Sequence, residues 1–325
     1  MLFLFFAYFI LFFLLEKIYF KIADRYNIID KPNLRSSHTE VTLRGGGIIF
    51  PIAIIIGILY YQPDLWLVAL SIFSISLISF LDDILTLSNK LRLGVHFVSL
   101  AMIVFECFAS YTNSWELRDI ILLTVTFIIG IGIINAYNFM DGINGITVVY
   151  SFITLLGIYF VQEEKGLLLL EKSVYVVVFS ALVVFGFFNI RKKAKTFSGD
   201  VGSIAMALFL SFLILKLIVL THDLRWILLL GIYGIDSVAT IFCRLLRKEN
   251  IFEAHRSHFY QYLANETKLS HIQVSVMYAF TQAILTLLLL QDNVLYALTF
   301  FLFLIAVYIY IRIKLEGLSR LFSKY

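Results

Sequence analysis

Long uncharged stretches separated by short polar connections follow one another along almost the whole chain. Most are about 17 to 21 residues long, close to the length at which an α-helix crosses the hydrocarbon layer of a bilayer. We predict about eleven such spans, at residues 1–20, 46–62, 65–81, 93–110, 119–134, 146–161, 173–189, 203–220, 226–243, 271–290 and 294–311. Because lipid offers no partner to backbone polar groups, the pattern indicates an all-α polytopic membrane protein, with residues 1–325 forming one integral membrane domain.

Composition supports the same class of protein. Of the 325 residues, 61% are hydrophobic and only 15% are charged, and the mean hydropathy is +0.92. A soluble protein of this length carries about 25% charged residues. The composition therefore excludes a soluble globular protein. The two cysteines lie in different predicted spans, so they suggest neither a disulfide framework nor a metal motif.

Lysine and arginine are distributed unevenly between the two sides of this arrangement. With eleven spans, 21 of the 26 basic residues fall on one side, four on the other and one inside a span. Cytoplasmic loops carry the excess of basic residues in membrane proteins. The asymmetry predicts an N-terminus outside, a C-terminus in the cytoplasm and an odd number of spans.

The most polar stretch between two predicted spans reads NAYNFMDGING, at residues 135–145. Asn and Asp tolerate turn geometries, and Gly lets a ligand approach the backbone closely. An ordinary turn would explain the Asn-Gly pair alone, but polar residues clustered at membrane depth indicate a functional site. We therefore expect Asn135, Asn138, Asp141 and Asn144 to face a polar ligand at the cytoplasmic membrane surface.

Acidic and basic residues occur together in other predicted cytoplasmic connections. Arg44 precedes three glycines, a pattern typical of flexible anion-binding loops but also common elsewhere. Asp82 and Asp83 are adjacent at a predicted helix end, and Arg92 follows in the same connection. Such a carboxylate pair can hold a metal or serve as a base, although two solvated acids at a membrane edge are the alternative. Asp200 lies between two glycines just before a span.

Basic side chains in the last two cytoplasmic connections suit phosphate groups. Lys195 precedes Asp200 in one of them, and His255, Arg256 and His258 lie together in the other. Two histidines beside an arginine suit a diphosphate, while a plain basic anchor is the alternative. Together with the carboxylates, these residues predict magnesium-assisted phosphoryl chemistry, because Mg²⁺ prefers carboxylate, amide and phosphate oxygens.

Four motifs stand in the order found in a known family. They are LDD at 81–83, NAYNFMDGING at 135–145, AKTFSGDVGS at 194–203 and HRSH at 255–258. In these motifs the chain resembles the polyprenyl-phosphate N-acetylhexosamine-1-phosphate transferases of glycosyltransferase family 4, from the first cytoplasmic loop to about residue 263. Members move a sugar-1-phosphate from a UDP-sugar to undecaprenyl phosphate and release UMP. The resemblance therefore implies a multi-pass enzyme of the bacterial inner membrane.

The resemblance also implies roles for individual residues. Asp200 would coordinate Mg²⁺, with Mn²⁺ as a substitute, and Asn138 would be a second ligand. Asp82 and Asp83 match the pair that binds or deprotonates the lipid phosphate, and Asp141 matches another essential acid. The residues expected to bind substrate are Asn135, Asn144, Arg44, Arg92, Lys195, His255, Arg256 and His258.

Two departures from the peptidoglycan branch of that family narrow the subgroup. That branch has a run of adjacent histidines in its last cytoplasmic loop and an Asp at the position that contacts uracil. Here the loop reads FEAHRSHFYQYL, and the uracil position is Asn144. The HRSH motif is similar to the corresponding motif of the branch whose enzymes initiate O-antigen and lipopolysaccharide synthesis. Those enzymes act on N-acetylated 6-deoxyhexosamines or GlcNAc. The sugar, the polyprenyl length and the oligomeric state, a homodimer included, stay open at this point.

For the reaction, we expect direct in-line attack of the lipid phosphate on the β-phosphorus of the UDP-sugar. A two-step route through an aspartyl-phosphate is the alternative. We expect undecaprenyl phosphate, a UDP-sugar and membrane lipid as partners, and no nucleic acid.

A transporter or lipid flippase is the rival function. A carrier needs paired charges near mid-membrane, where the deep candidates are His96, Glu106, Lys216 and Asp236. One or two such residues are compatible with helix packing, whereas most of the polar residues lie at one membrane face. The distribution therefore favours an enzyme.

Overall fold

The computed structural model describes residues 1–31, 40–85, 87–108, 117–250 and 255–318. Within these ranges the chain is almost entirely helical. Its α-helices are α1 (Leu2–Arg25), α2 (Ile49–Tyr61), α3 (Trp66–Leu85), α4 (Asn89–Phe108), α5 (Leu117–Met140), α6 (Ile146–Lys165), α7 (Lys172–Asn189), α8 (Gly199–Thr221), α9 (Gly231–Leu246), α10 (Phe259–Glu266), α11 (His271–Leu289) and α12 (Val294–Glu316).

The helices confirm the prediction of an all-α polytopic membrane protein. Among the described residues, ten helices are long and apolar enough to cross a membrane. The remaining predicted span, at 46–62, corresponds to a shorter apolar helix, Gly46–Tyr61, in which a 3₁₀ turn leads into α2. Each of the eleven predicted spans therefore has a helical counterpart. The orientation of the bundle stays a prediction.

Helix α8 lies at the centre of the bundle. It is apolar on all sides, and its residues from Val201 to Ile214 are buried without interruption, as expected of a core helix. It contacts α2, α3, α4, α5 and α6. By contrast, α1, α5 and α12 bury only 17%, 17% and 11% of their spanning windows, as expected of helices that face lipid. The N-terminal turn of α8 is therefore surrounded by the ends of neighbouring helices.

Several polar residues lie on helix ends rather than in loops. Asn135 and Asn138 belong to the last two turns of α5, so the predicted central loop is shorter than its motif. Asp200 lies in the first turn of α8, and Arg92 lies in the first turn of α4, each ahead of the predicted span. The physical reason is that a helix does not have to stop at the edge of the hydrocarbon layer. Polar residues can continue it into the aqueous boundary, where their side chains are hydrated. The prediction of a site built from loops was therefore wrong for these residues.

A two-stranded pair and the short helix α10 complete the polar face. Strands β1 (Ile29–Asp30) and β2 (Thr42–Leu43) pair in antiparallel register. The apolar pattern did not predict these elements, because it reports only segments long enough to cross the bilayer. Residues 33–39 of the first predicted cytoplasmic loop lie outside the described residues, whereas Arg44 and the glycines after it lie inside them.

Candidate active site

One carboxylate joins the end of α3 to the beginning of α8. Asp83 accepts the backbone N–H of Asp200 at 3.2 Å and that of Val201 at 3.3 Å. The first N–H groups of an α-helix have no partner within the helix, so Asp83 caps α8 from a different helix. Its side chain is fully buried. The contact brings Asp200 beside the Asp82–Asp83 pair, although the two motifs are far apart in the chain.

Gly199 permits this close approach. Its φ is +69°, in the left-handed region that glycine adopts without a steric penalty. A Cβ at this position would lie 2.5 Å from Asp83 Oδ2 and 2.9 Å from Gly45 Cα. Both the backbone conformation and the space available therefore require glycine immediately before Asp200.

Two arginines link the three carboxylates. Arg44 Nη2 lies 2.8 Å from Asp83 Oδ1 and 3.4 Å from Asp200 Oδ1. Arg92 Nη1 lies 2.7 Å from Asp82 Oδ2, and its Nη2 lies 3.5 Å from Asp200 Oδ2. Each guanidinium thus makes a short contact to α3 and a long one to Asp200. The side chain of Asp200 is also 16% exposed, compared with 9% for Asp82, so Asp200 is the least tightly held and the most accessible of the three.

The backbone around Arg44 is fixed against the segment that precedes α8. Phe197 N donates to Leu43 O at 2.8 Å, and Gly46 N donates to Phe197 O at 2.9 Å. Tyr19 OH, from α1, donates to Arg44 O at 2.5 Å. The connection before α2 and the connection before α8 therefore form one hydrogen-bonded unit, which holds Arg44 beside the N-terminus of α8.

Asp141 reaches the same region from the connection between α5 and α6. Its carboxylate accepts hydrogen bonds from Thr147 Oγ1 and Ser198 Oγ, and Ser198 directly precedes Gly199. Burial raises the pKa of Asp141 to about 7, while the two hydroxyl donors act in the opposite direction. A carboxyl group that titrates near neutral pH is suited to exchanging a proton with a substrate.

Asn138 faces the helix end that carries Asp200. Its Oδ1 accepts a hydrogen bond from Ser203 Oγ at 2.6 Å. Ser203 follows Asp200 by three residues, so the two side chains lie on neighbouring positions of one face of α8. The structure thus places Asn138, on α5, next to the N-terminal end of α8, which carries Asp200.

The donor chemistry at this helix end suits a hard divalent cation. A carboxylate from Asp200 and an amide oxygen from Asn138 are ligands of the kind that Mg²⁺ uses, with water and substrate phosphate completing its shell. In the described ranges, no group of three His, Cys, Asp or Glu side chains is arranged to hold a metal ion by itself. A cation at Asp200 would compete only with the long contacts of 3.4 and 3.5 Å from Arg44 and Arg92.

The HRSH segment lies beside the 135–145 stretch, at the N-terminus of α10. The rings of His255 and His258 stack with their centroids 4.9 Å apart, and the His258 ring lies 6.3 Å from that of Phe139. Tyr260 OH donates to Phe139 O at 2.8 Å. The fourth sequence motif therefore meets the second one in space.

The basic residues of this segment differ in their surroundings. Burial, followed by the electrostatic effects of the neighbouring His258, Arg244 and Arg247, lowers the pKa of His255 to about 3. His255 is therefore neutral at physiological pH. His258 is buried, whereas Arg256 is exposed and accessible to an approaching ligand.

Three predicted substrate-binding residues make other contacts. Asn135 Nδ2 donates to Ile131 O at 2.9 Å within its own helix. Asn144 is buried, and its Nδ2 donates to Arg191 O at 2.8 Å. Lys195 is exposed on the segment before α8. The structure does not bring these three side chains to the carboxylate cluster, and their binding role stays a prediction.

Sequence reasoning did not single out several residues of this region. Ser198 and Ser203 place Asp141 and Asn138 against α8, and their only sequence signal is a hydroxyl on each side of an Asp at a helix start. Asp236 is one of four deep polar residues in the sequence, and an acid in an apolar helix carries no signal beyond its compatibility with helix packing. Its carboxylate instead contacts the segment that contains His258.

Comparisons with known proteins point to one family. The sequence model of glycosyl transferase family 4 matches residues 65–218, from α3 to α8, the helices whose ends carry the carboxylates. A Bacillus subtilis (strain 168) protein named "Probable undecaprenyl-phosphate N-acetylglucosaminyl 1-phosphate transferase" is 28% identical over 316 residues, covering 92% of this chain and 87% of the relative. A phospho-N-acetylmuramoyl-pentapeptide-transferase of Prochlorococcus marinus subsp. pastoris is 28% identical over 217 residues, covering 58% of this chain and 60% of the relative.

Proposed function

We propose that this chain transfers a sugar-1-phosphate from a UDP-sugar to undecaprenyl phosphate and releases UMP, and its match to the model of glycosyl transferase family 4 over residues 65–218 supports the proposal. The observation that carries the proposal is the convergence of three carboxylates and two arginines at one end of α8. Phosphoryl transfer is catalysed mainly by positioning and by charge stabilisation, which such a cluster supplies. The Bacillus subtilis relative, named as an N-acetylglucosaminyl 1-phosphate transferase, supports the same reaction class.

Arg44 and Arg92 are the groups that would receive phosphate. Arginine binds phosphate oxygens through the same fork of N–H donors that it uses toward carboxylates. Each arginine has one long contact, to Asp200, that a substrate phosphate can replace without disturbing the short contact to α3. The cluster is therefore organised before substrate arrives, and binding requires little rearrangement.

For the reaction we propose a direct displacement, with the two-step route through an aspartyl-phosphate as the alternative. An oxygen of the lipid phosphate forms a bond to the β-phosphorus of the UDP-sugar, and the bond from that phosphorus to the oxygen of UMP breaks. Asp82 is the better candidate to accept a proton from the lipid phosphate, because its side chain is 9% exposed, whereas that of Asp83 is fully buried. Asp83 serves instead to hold the N-terminus of α8.

We propose Mg²⁺ as the cofactor, held by Asp200 and Asn138. When bound, the ion would neutralise charge on the diphosphate and on departing UMP. The choice of ligands rests on their oxygen chemistry and on the long arginine contacts of Asp200. Chelation with EDTA should abolish turnover, and Mg²⁺ should restore it. Asn138→Ala should raise the Mg²⁺ concentration needed for half-maximal activity more than it changes the KM for lipid.

For the sugar, we propose an N-acetylated hexosamine or 6-deoxyhexosamine, in a reaction that begins a lipid-linked cell-surface glycan at the inner membrane. The HRSH loop and Asn144 support this choice over the peptidoglycan precursor. In the proposed orientation, the carboxylate cluster lies at the cytoplasmic face, where UDP-sugars are available.

The test is a transfer assay with membranes that contain the protein. Undecaprenyl phosphate and a panel of UDP-N-acetylhexosamines are supplied, and UMP release and labelled lipid are measured together. The Asp200→Asn variant, inserted to the same level, is the matched control. We expect UMP and sugar-lipid in equal amounts from at least one UDP-sugar with the wild type only. Absence of both products with every UDP-sugar, from correctly inserted protein, would contradict the proposal.

A further inference from the structure

A single buried carboxylate holds the start of α10. Asp236, on α9, accepts the backbone N–H of Phe259 at 2.9 Å and that of Tyr260 at 3.0 Å. These are the first N–H groups of α10, so Asp236 caps this helix from a different one, as Asp83 caps α8. The residue is only 1% exposed. A charge in this position is expensive within a membrane protein, and the capping contacts supply part of the compensation.

Two further helices hold the same segment. Tyr278 OH, from α11, donates to Asp236 Oδ2 at 2.6 Å. Tyr308 OH, from α12, donates to Asp236 Oδ1 at 3.3 Å. Arg312, also on α12, donates from Nη2 to Ser257 O at 2.6 Å. Helices α9, α11 and α12 therefore fix the backbone on both sides of His258.

Asp236 also faces the imidazole of His258. His258 Nδ1 lies 3.4 Å from Asp236 Oδ1, which is a close approach rather than a well-formed hydrogen bond. His258 is 2% exposed, and both of its ring nitrogens are buried without a hydrogen-bond partner within the described part of the chain. A carboxylate beside Nδ1 favours the ring orientation in which that nitrogen is turned toward Asp236. Nε2 is thereby left on the opposite side of the ring.

We propose that Asp236 is a positioning residue for the transfer reaction, acting through His258. It fixes the ring so that Nδ1 faces the carboxylate, and its charge stabilises the imidazolium form, in which Nε2–H donates to a phosphate oxygen of the UDP-sugar. The inference rests on the proposed function, and it assigns Asp236 a part in the reaction beyond the packing of α9. Because the contact with the diphosphate is useful mainly when charge develops in the transition state, its loss should lower kcat more than it raises KM.

A double-mutant cycle on turnover tests the proposal. Asp236→Asn keeps the shape and one acceptor oxygen, but it removes the charge that holds Nδ1. We expect kcat to fall about 10- to 100-fold with KM changed less than about threefold, a range typical of groups that orient a functional histidine. In the His258→Gln background, Asp236→Asn should have almost no further effect, because residues that act as a unit are not additive.

Tyr308→Phe is the matched control. It removes another neighbour of the same carboxylate oxygen, at 3.3 Å, but leaves Asp236 and His258 in place. It also removes the hydrogen bond from Arg312 Nη1 to Tyr308 OH at 2.5 Å, but Arg312 keeps its bonds to Thr240 Oγ1 and Ser257 O. We expect its kcat within about threefold of the wild type, because no contact of the His258 ring is lost. Equal losses of kcat from Tyr308→Phe and Asp236→Asn would overturn the inference, and so would additive losses in the cycle.

Asp236→Glu serves if the Asn variant does not reach the membrane. It keeps the charge for capping but displaces it from Nδ1, so kcat should fall here as well. Absence of both variants from the membrane would assign Asp236 to folding alone and overturn the inference. If the wild type is active but the losses of kcat in the double-mutant cycle are additive, the role of Asp236 is rejected and the proposed function is retained. A wild type that releases no UMP from any UDP-sugar rejects the proposed function, and the inference with it.

Discussion

Asp83 caps the helix on which Asp200 lies, because its Oδ1 accepts the Asp200 N–H at 3.2 Å. The two carboxylates are neighbours, yet they have different surroundings. Asp83 is fully buried and has Arg44 at 2.8 Å, whereas Asp200 is 16% exposed and its guanidinium contacts are 3.4 and 3.5 Å long. We therefore expect Asp83 to matter chiefly for the fold and Asp200 chiefly for the chemistry.

Substitution of each carboxylate by its amide separates these roles. Asp83→Asn removes a buried carboxylate from its pair with Arg44, whose side chain is 35% exposed. The cost in the free energy of unfolding should therefore lie below the about 3–5 kcal/mol of a fully buried pair, because solvent screens the arginine. The melting temperature of this variant in detergent should fall clearly. Asp200→Asn removes only long contacts, so its melting temperature should stay near that of the wild type while UMP release is almost abolished. Similar thermal destabilisation by the two variants would contradict this division.

The order and the chemistry of the four motifs could be predicted from the sequence, but their contacts could not. Apolar periodicity locates the helices and the polar residues at their ends. It does not show which ends meet, and Asp83 and Asp200 are 117 residues apart. Asp236 shows the same limit, because an acid within an apolar helix gives no sign that it caps another helix. The sequence predicts a substrate contact for Asn144, whereas in the structure its side-chain amide donates to the backbone carbonyl of Arg191.

The raised pKa of Asp141 predicts a dependence of stability on pH. The pKa is about 7 in the folded protein, raised mainly by burial, against an ordinary value of 3.8. The folded state therefore holds the proton more tightly than the unfolded state. The resulting stabilisation is complete below pH 3.8 and is lost as the pH rises through about 7.

The Asp141→Asn variant isolates this contribution, because its side chain cannot ionise. Melting temperatures of wild type and variant are compared across a pH series from about 5 to about 8. We expect the wild type to lose stability relative to the variant as the pH rises, with the difference levelling above about pH 7. A difference that stays constant over the series would show that Asp141 does not titrate in this window.

Arg256→Lys distinguishes a diphosphate contact from a basic anchor. Lysine keeps the charge that an anchor needs, but it cannot reproduce the two-pronged contact of a guanidinium. Loss of one charge-assisted hydrogen bond costs about 1.5–3 kcal/mol, which corresponds to a loss of roughly 10- to 100-fold in kcat/KM. Lys268→Gln, which removes an exposed charge farther along the chain, is the control and should retain wild-type kinetics. Unchanged kcat/KM for Arg256→Lys would contradict the diphosphate contact and support a role of this segment as a basic membrane anchor.

The orientation of the bundle is open to a direct measurement. The excess of basic residues predicts that a reporter fused after Tyr325 lies in the cytoplasm, and that one inserted near Glu163 lies outside. Glu163 is exposed at the end of α6, so an insertion there should be tolerated. If both reporters were found on the same side of the membrane, the eleven-span arrangement would be contradicted.

A pair of glycine substitutions tests whether the close approach at the N-terminus of α8 is required. Gly199 and Gly166 both have a positive φ, of +69° and +62°. Alanine at either position incurs the left-handed backbone penalty of about 1–2 kcal/mol. Only at Gly199 would the added Cβ also meet other atoms, with Gly45 Cα at 2.9 Å, whereas nothing lies within 4 Å at Gly166.

Gly166→Ala is therefore the matched control for Gly199→Ala. We expect a small fall in melting temperature and normal UMP release from Gly166→Ala. Gly199→Ala should show a larger fall and a loss of UMP release, because backbone at Gly45 cannot move aside without displacing Arg44. The difference between the two variants measures the close approach itself, since the backbone penalty is common to both. Equal melting temperatures and equal turnover would mean that Arg44 does not depend on this contact for its position beside Asp200.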